Sequence, residues 1–190
     1  EELRAQVFVS AVPWDSLPHL LGPRWAEHPF FAPIQGLRGS PILNIHLWYD
    51  RPVLRETFVG FLGSPVQWVF NKTAHWGLEG PGQHLSVSVS GADAFLGKTQ
   101  EEVKRLFLPE VQRLLPAASQ AALRHCRVVL IRNATFRPVP GVEALRPPQR
   151  TPIPNLFLAG EWTRTGWPST MESAVRSGLL AAEAVQRCFP

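Results

Sequence analysis

Residues 155–163, Asn155-Leu156-Phe157-Leu158-Ala159-Gly160-Glu161-Trp162-Thr163, lead through Pro168-Ser169-Thr170-Met171-Glu172 to Arg187 and read as a strand, a turn and a helix. Leu156 to Ala159 form an apolar run without alternation, bounded closely by Pro154 and Gly160. Such a run suits a strand of the parallel type, buried on both faces, better than a buried helix. Gly160 lets the backbone turn or come near a ligand, and Glu161 puts a carboxylate at the strand's C-terminal end, where ligands of open α/β sheets sit. Ser169 and Glu172 make an S-x-x-E capping box that opens the helix. This leaves the Thr170 and Met171 amides open at the positive helix end, suited to an electron-rich oxygen or an anion. Ala174, Gly178, Ala181, Ala182 and Val185 form a small-residue stripe at helical spacing, which would let the helix axis lie close to a sheet or a flat ligand.

Upstream of this stretch, Arg137 to Pro154 is a connection with six prolines in 18 residues, which favours an extended path. Arg127 to Ile131 reads as a strand. Before it, Thr99 and Glu102 form a second capping box, opening a helix with Val103, Leu106, Phe107, Val111, Leu114 and Leu115 on one side. Pro109 predicts a kink or break near Phe107, and Pro116 a stop. Ile42 to Tyr49, Thr57 to Leu62, Val66 to Asn71 and Leu85 to Ser90 read as strands of an antiparallel sheet. Strict alternation in the last places Leu85, Val87 and Val89 on one buried face. Gln6 to Val12 is a strand ended by Pro13, followed by a helical turn over Asp15 to Leu21.

The pattern N-L-F-L-A-G-E-W-T, a proline-containing loop and S-T-M-E-S-A-V-R-S-G-L-L-A-A resembles the C-terminal flavin-binding segment of FAD-dependent amine oxidases and phytoene desaturases. The resemblance implies that the carboxylate after the strand-ending Gly contacts the ribityl and pyrophosphate part of FAD, and that helix N-terminal amides face the pyrimidine edge of the flavin. These roles fall on Gly160, Glu161, Thr170 and Met171, while Trp162 and Trp167 either wall the flavin or pack the turn. Glu161 stands where the family more often has Asp, one methylene shorter. The competing reading is a bare strand-turn-helix unit with no ligand. The order of elements resembles the superfamily's interleaved plan. It implies an α/β (α+β) fold, made of the C-terminal part of an FAD-binding Rossmann-like domain plus a mostly antiparallel sheet-and-helix substrate domain. The implied division is 1–13 as a returning flavin-side strand, 14–137 as substrate domain and 138–190 as the C-terminal FAD-binding segment. Within the middle part, P-I-L-N-I-H-L-W-Y-D-R-P and G-S-P-V-Q-W-V-F-N-K-T are most similar to the hydroxysqualene dehydroxylases, which implies an apolar isoprenoid substrate. A carotenoid desaturase or an amine oxidase is the alternative within the class.

No G-x-G-x-x-G fingerprint for the ADP half of FAD occurs in these residues, so the chain reads as the C-terminal portion of a longer protein whose N-terminal part is its first partner. A non-catalytic module that binds lipid or a partner without holding FAD is the rival from another class. The 190 residues, 45% hydrophobic, suffice for one substantial core or two small ones. The formal charge of +4 comes from 19 basic and 15 acidic residues, with arginines scattered instead of clustered. That distribution reads as a solvated face with no nucleic-acid tract, loose contact with anionic lipid being the alternative. Cys126 and Cys188 fit no disulfide framework or metal spacing. No apolar signal region or spanning stretch is present, so the chain reads as cytoplasmic, or cytoplasmic and peripheral to a membrane. Metalloprotease, serine hydrolase and P-loop motifs are absent. Trp48, Phe58, Trp68 and Phe70, on the presumed substrate sheet, either line an apolar site or fill the core. His46 is the candidate proton donor to a leaving hydroxyl, against a packed structural histidine.

Overall fold

The computed structural model describes residues 4–189. Glu1 to Leu3, which open the expected segment 1–13, and Pro190 lie outside the described residues. In chain order the strands are β1 (Phe8–Ser10), β2 (Gly39–Tyr49), β3 (Phe58–Gly60), β4 (Trp68–Asn71), β5 (Gln83–Ser90), β6 (Leu123–Phe136) and β7 (Leu156–Leu158). The helices are α1 (Leu17–Leu21), α2 (Pro23–Ala26), α3 (Lys72–His75), α4 (Gln100–Leu114) and α5 (Met171–Cys188). The chain divides into two compact units, one taking in the chain up to Gly39 and from Thr135 onward, the other spanning Ser40–Ala134. Among the described residues no helix is long and apolar enough to cross a membrane.

In the first unit β1 and β7 pair in parallel, with Phe8 opposite Leu156, Val9 opposite Phe157 and Ser10 opposite Leu158. The parallel reading of the apolar run therefore holds. On the other side of β7, the Leu158 amide donates to the Gln149 carbonyl and Arg150 bridges Phe157, so the proline-rich segment runs alongside the strand. Covered from both edges, Phe157 and Leu158 are buried, and burial of each such side chain contributes about 1.5–3 kcal/mol. Leu158 and Trp162 share a core with Trp14, Leu17, Phe31, Ile34, Leu37, Phe136 and Val142. Residues 14–39 thus pack in this unit and not with the middle of the chain, where the expected boundary at residue 14 had put them; their apolar side chains find β7 and the segment before it.

The second unit is a five-stranded sheet in the order β3-β4-β5-β2-β6. The β3/β4, β4/β5 and β5/β2 pairs are antiparallel. Leu43, Ile45, Leu47, Val69, Leu85, Val87 and Val89 point to one face, where Val103, Phe107 and Val111 of α4 complete the core. Helix α4 begins with the expected capping box, since the Thr99 hydroxyl accepts from the Glu102 amide at 3.3 Å and Glu102 accepts from the Thr99 amide at 2.8 Å. It does not break near Phe107, however, and runs through Pro109 to Leu114 before Pro116 ends it. Pro109 and Arg105 lie on the exposed side, so water serves the Arg105 carbonyl that the proline cannot.

Candidate functional site

The turn after β7 is fixed by short contacts. Gly160 has φ 140°, a region open to glycine, and a Cβ placed there would collide with the Trp162 indole nitrogen. Its amide donates to Ser177 Oγ of α5 at 2.7 Å, and its carbonyl accepts from the Thr163 amide at 3.0 Å and hydroxyl at 2.8 Å. Trp162 is fully buried and donates through Nε1 to the Val12 carbonyl at 3.0 Å, tying the turn to the exit of β1. Between walling a ligand and packing the turn, Trp162 packs the turn.

Arg146, which the sequence did not single out, holds the other side of the turn. Its side chain is wholly buried, yet it carries a charge that needs partners. Nε and Nη2 donate to the Thr163 carbonyl at 3.0 and 2.7 Å, Nη2 also to the Glu161 carbonyl at 3.0 Å and Thr165 Oγ1 at 3.1 Å, and Nη1 to Glu143 at 2.7 Å. The guanidinium also lies over the Phe136 ring at 5.0 Å. Held in this way, the Glu161 backbone presents a half-buried carboxylate with no hydrogen-bond or ion-pair partner among the described residues. It stands at the C-terminal end of a parallel strand.

Helix α5 begins one residue later than the sequence predicts. Thr170 is the cap, accepting from the Ser173 amide at 3.2 Å, while Glu172 pairs with Arg176 at 2.8 Å and does not reach back. Threonine and serine are both good caps, and with Thr170 in that place the Glu172 carboxylate meets Arg176 at i,i+4. The first-turn amides left open are those of Met171 and Glu172. Ser169, displaced from the cap, has a buried Oγ without a partner. The face that α5 buries is Ser173, Ser177 and Ala181, with only Ala181 shared with the expected stripe; Ala174, Gly178 and Ala182 are exposed. Met171 is 88% exposed, and Trp167 is half-covered by the Arg176 guanidinium at 4.4 Å. The free Glu161 acceptor, two open amides and the orphaned Ser169 hydroxyl suit a ligand that carries both hydroxyls and carbonyl oxygens.

In the second unit, alternation turns Trp48, Phe58, Trp68 and Phe70 onto the sheet face opposite the core. They are not core residues. Phe58 and Trp68 are largely exposed, and Phe58, Trp68 and Phe70 form a three-ring cluster in which every pair of ring centroids is 6.2–6.3 Å apart. Trp48 stacks on His84, directly opposite it on β5, with centroids 4.3 Å apart and planes at 8°. His46 shares this face, and its Nδ1 lies 3.1 Å from His84 Nε2. Burial, then the Lys72 and Arg127 charges, push the His46 pKa below its usual value; burial, His46 and Lys72 do the same to His84. Trp48, Trp76, Thr73, Leu78, Pro81 and His84 line a cleft of about 650 Å³. The His84 role was hidden because the alternation at 85–90 flags only the buried positions. Its register opposite Trp48 was the missing signal.

Residues 1–186 match the family described as flavin containing amine oxidoreductase. The chain is 32% identical over 190 residues to a 15-cis-phytoene desaturase of Synechococcus elongatus, covering 96% of this chain and 40% of that protein. It is 37% identical over 142 residues to a hydroxysqualene dehydroxylase of Sinorhizobium fredii, covering 75% of this chain and 31% of that protein. In fold it is similar to putrescine oxidase, with TM-score 0.64 and 20% identity over 94% of this chain and 42% of that one. It is likewise similar to an oxidoreductase from Methanosarcina mazei, with TM-score 0.68 and 17% identity over 95% of this chain and 43% of that one. The chain therefore spans well under half the length of these relatives.

Proposed function

This chain belongs to the family of flavin-containing amine oxidoreductases, and from that premise we propose that the protein it comes from is an FAD-dependent oxidoreductase acting on an apolar isoprenoid. The reaction favoured is reductive removal of a hydroxyl from hydroxysqualene to give squalene. The observation that carries this reading is the aromatic sheet face, of which Trp48, Trp68 and Phe70 lie in the stretches that resemble the hydroxysqualene dehydroxylases. Apolar rings facing away from the core suit a long hydrocarbon.

A bound flavin would supply the hydride chemistry. The residues of this chain then have separate tasks. Glu161 would accept hydrogen bonds from the ribityl hydroxyls, the Met171 and Glu172 amides would donate to ring carbonyl oxygens, and Ser169 Oγ would gain the partner it lacks. Gly160, Trp162 and Arg146 hold the turn that aims Glu161, and Trp167 offers a half-open ring edge beside them. On the sheet, the aromatic face would exclude water and hold the isoprenoid extended, and its exposure supports peripheral contact with the lipid from which such a substrate is drawn.

Desaturation of a carotenoid precursor is the second reading, favoured by the phytoene desaturase likeness over 96% of the chain. Incubating the full-length flavoprotein with hydroxysqualene, phytoene and amines, and identifying products, separates the readings. Squalene from hydroxysqualene supports the first, a newly conjugated polyene the second, and oxidised amine with neither hydrocarbon product overturns both.

A further inference from the structure

We propose that His46 and His84 form a two-imidazole proton relay between the cleft lined by residues 73–84 and the aromatic face of the sheet, and that it delivers the proton which turns the leaving hydroxyl into water. This rests on the dehydroxylation reading above. The geometry follows from register: His84 lies opposite Trp48, and His46 is the diagonal neighbour two residues along on the same face. The two ring nitrogens that meet, His46 Nδ1 and His84 Nε2, are 3.1 Å apart, a distance that holds one proton between them. In a neutral pair the shared proton fixes the rest, because each imidazole has one N–H and one lone pair. If His84 Nε2 donates to His46 Nδ1, then His46 Nε2 carries an N–H and His84 Nδ1 a lone pair. Neither of these outer nitrogens has a protein partner among the described residues.

The step balances without a lasting charge. A bound anionic reduced flavin would supply the hydride for the new C–H bond, and as the C–O bond breaks its electron pair leaves on oxygen. That oxygen takes the proton of His46 Nε2, His46 Nδ1 takes the shared proton from His84 Nε2, and His84 Nδ1 takes up one H⁺ from bulk solvent through the cleft, which balances the negative charge that anionic reduced flavin brings to the step. The products are squalene-type C–H, water and oxidised flavin, with the histidine pair left neutral in its other tautomer. Two features favour this over a single histidine acting as a cation. Burial of both rings, with Lys72 of α3 and Arg127 of β6 nearby, disfavours a standing imidazolium. His84, stacked on Trp48 with Trp76 5.9 Å away, is held in place beside His46, whose ring plane lies at 39° to its own. His125 of β6 also touches Trp48, at 5.0 Å, but makes no hydrogen bond to the pair among the described residues.

The test uses the full-length protein with ¹⁵N-labelled histidine, as wild type, His46→Gln and His84→Gln. Long-range ¹H–¹⁵N spectra, which need neither flavin nor substrate, should show His46 and His84 as complementary tautomers, with His84→Gln shifting the His46 nitrogen signals and its titration midpoint. A His46 spectrum and titration unchanged by His84→Gln would overturn the relay whatever the protein's reaction. In rapid mixing of reduced flavoprotein with hydroxysqualene, each variant should reoxidise its flavin about 10²-fold more slowly than wild type at unchanged flavin content. His125→Gln should reoxidise at the wild-type rate. A wild type that reoxidises with substrate while both variants match it overturns the relay and leaves the dehydroxylation reading intact. A wild type that does not reoxidise overturns the dehydroxylation reading and with it the delivery step, while the spectra still decide the pairing.

Discussion

The Arg146 guanidinium grips the Thr163 carbonyl oxygen twice, from Nε at 3.0 Å and from Nη2 at 2.7 Å, and so shapes the turn that carries Glu161. Among the described residues its one carboxylate partner, Glu143, is 64% exposed, so most of its compensation is backbone oxygen. Arg146→Ala strands the Thr163 carbonyl, leaves the Glu161 carbonyl with Ser173 Oγ alone, and should cost about 3–5 kcal/mol. Arg146→Lys keeps the charge and loses the fork, and should recover only part of this. Chemical unfolding of the full-length protein measures both; an Arg146→Ala midpoint equal to wild type would refute the assignment.

Gly160→Ala places a Cβ against the Trp162 indole at a φ of 140°, a conformation that suits glycine alone. The strain should lower stability by about 1–3 kcal/mol, and displacing Trp162 should also weaken flavin retention. Thermal unfolding followed by tryptophan fluorescence reads the first, and flavin absorbance after gel filtration the second.

The cap of α5 separates Thr170 from Ser169 cleanly. Thr170→Ala removes the acceptor for the Ser173 amide and should cost about 1 kcal/mol. Ser169→Ala removes a hydroxyl with no partner in this chain and should be neutral or slightly stabilising when no flavin is bound. The reverse order of unfolding midpoints would restore the S-x-x-E capping box.

Acid should weaken the sheet unit through its histidine pair. His46 and His84 have folded pKa values below the usual imidazole value of 6.5, so the unfolded chain binds protons first as pH falls. Stability is therefore full above pH 6.5 and declines as pH drops from there through the lowered folded values. His46→Gln and His84→Gln should each flatten that decline, as read by urea unfolding at a series of pH values; an unchanged slope would contradict it.

What the sequence disclosed depended on whether a position is settled by its neighbours in sequence or in space. The β7 run, the alternation at Leu85, Val87 and Val89 and the Thr99–Glu102 box are local patterns, and each is found in place. The start of α5 was misplaced by one residue because Ser169 and Thr170 are both good caps, and the deciding partner, Arg176, lies in the next turn. Arg146 was invisible because it sits in a proline-rich connection, and apart from Glu143 and Thr165 its partners are carbonyls 15–17 residues away with no side-chain signature. Trp48, Phe58, Trp68 and Phe70 had two readings, core or apolar lining, and only strand register turns them away from the core and sets Trp48 against His84.

The central claim is an FAD site that includes the unpaired Glu161 carboxylate. The direct measurement is a flavin titration of the full-length apoprotein, comparing wild type with Glu161→Ala by fluorescence quenching and checking folding by circular dichroism. The wild type should take up one flavin per chain, and Glu161→Ala, which loses hydrogen bonds to a charged acceptor worth about 1.5–3 kcal/mol, should bind about tenfold or more weakly while remaining folded. A wild-type protein that neither carries nor takes up flavin, or a variant that binds it as tightly as wild type, would contradict the account.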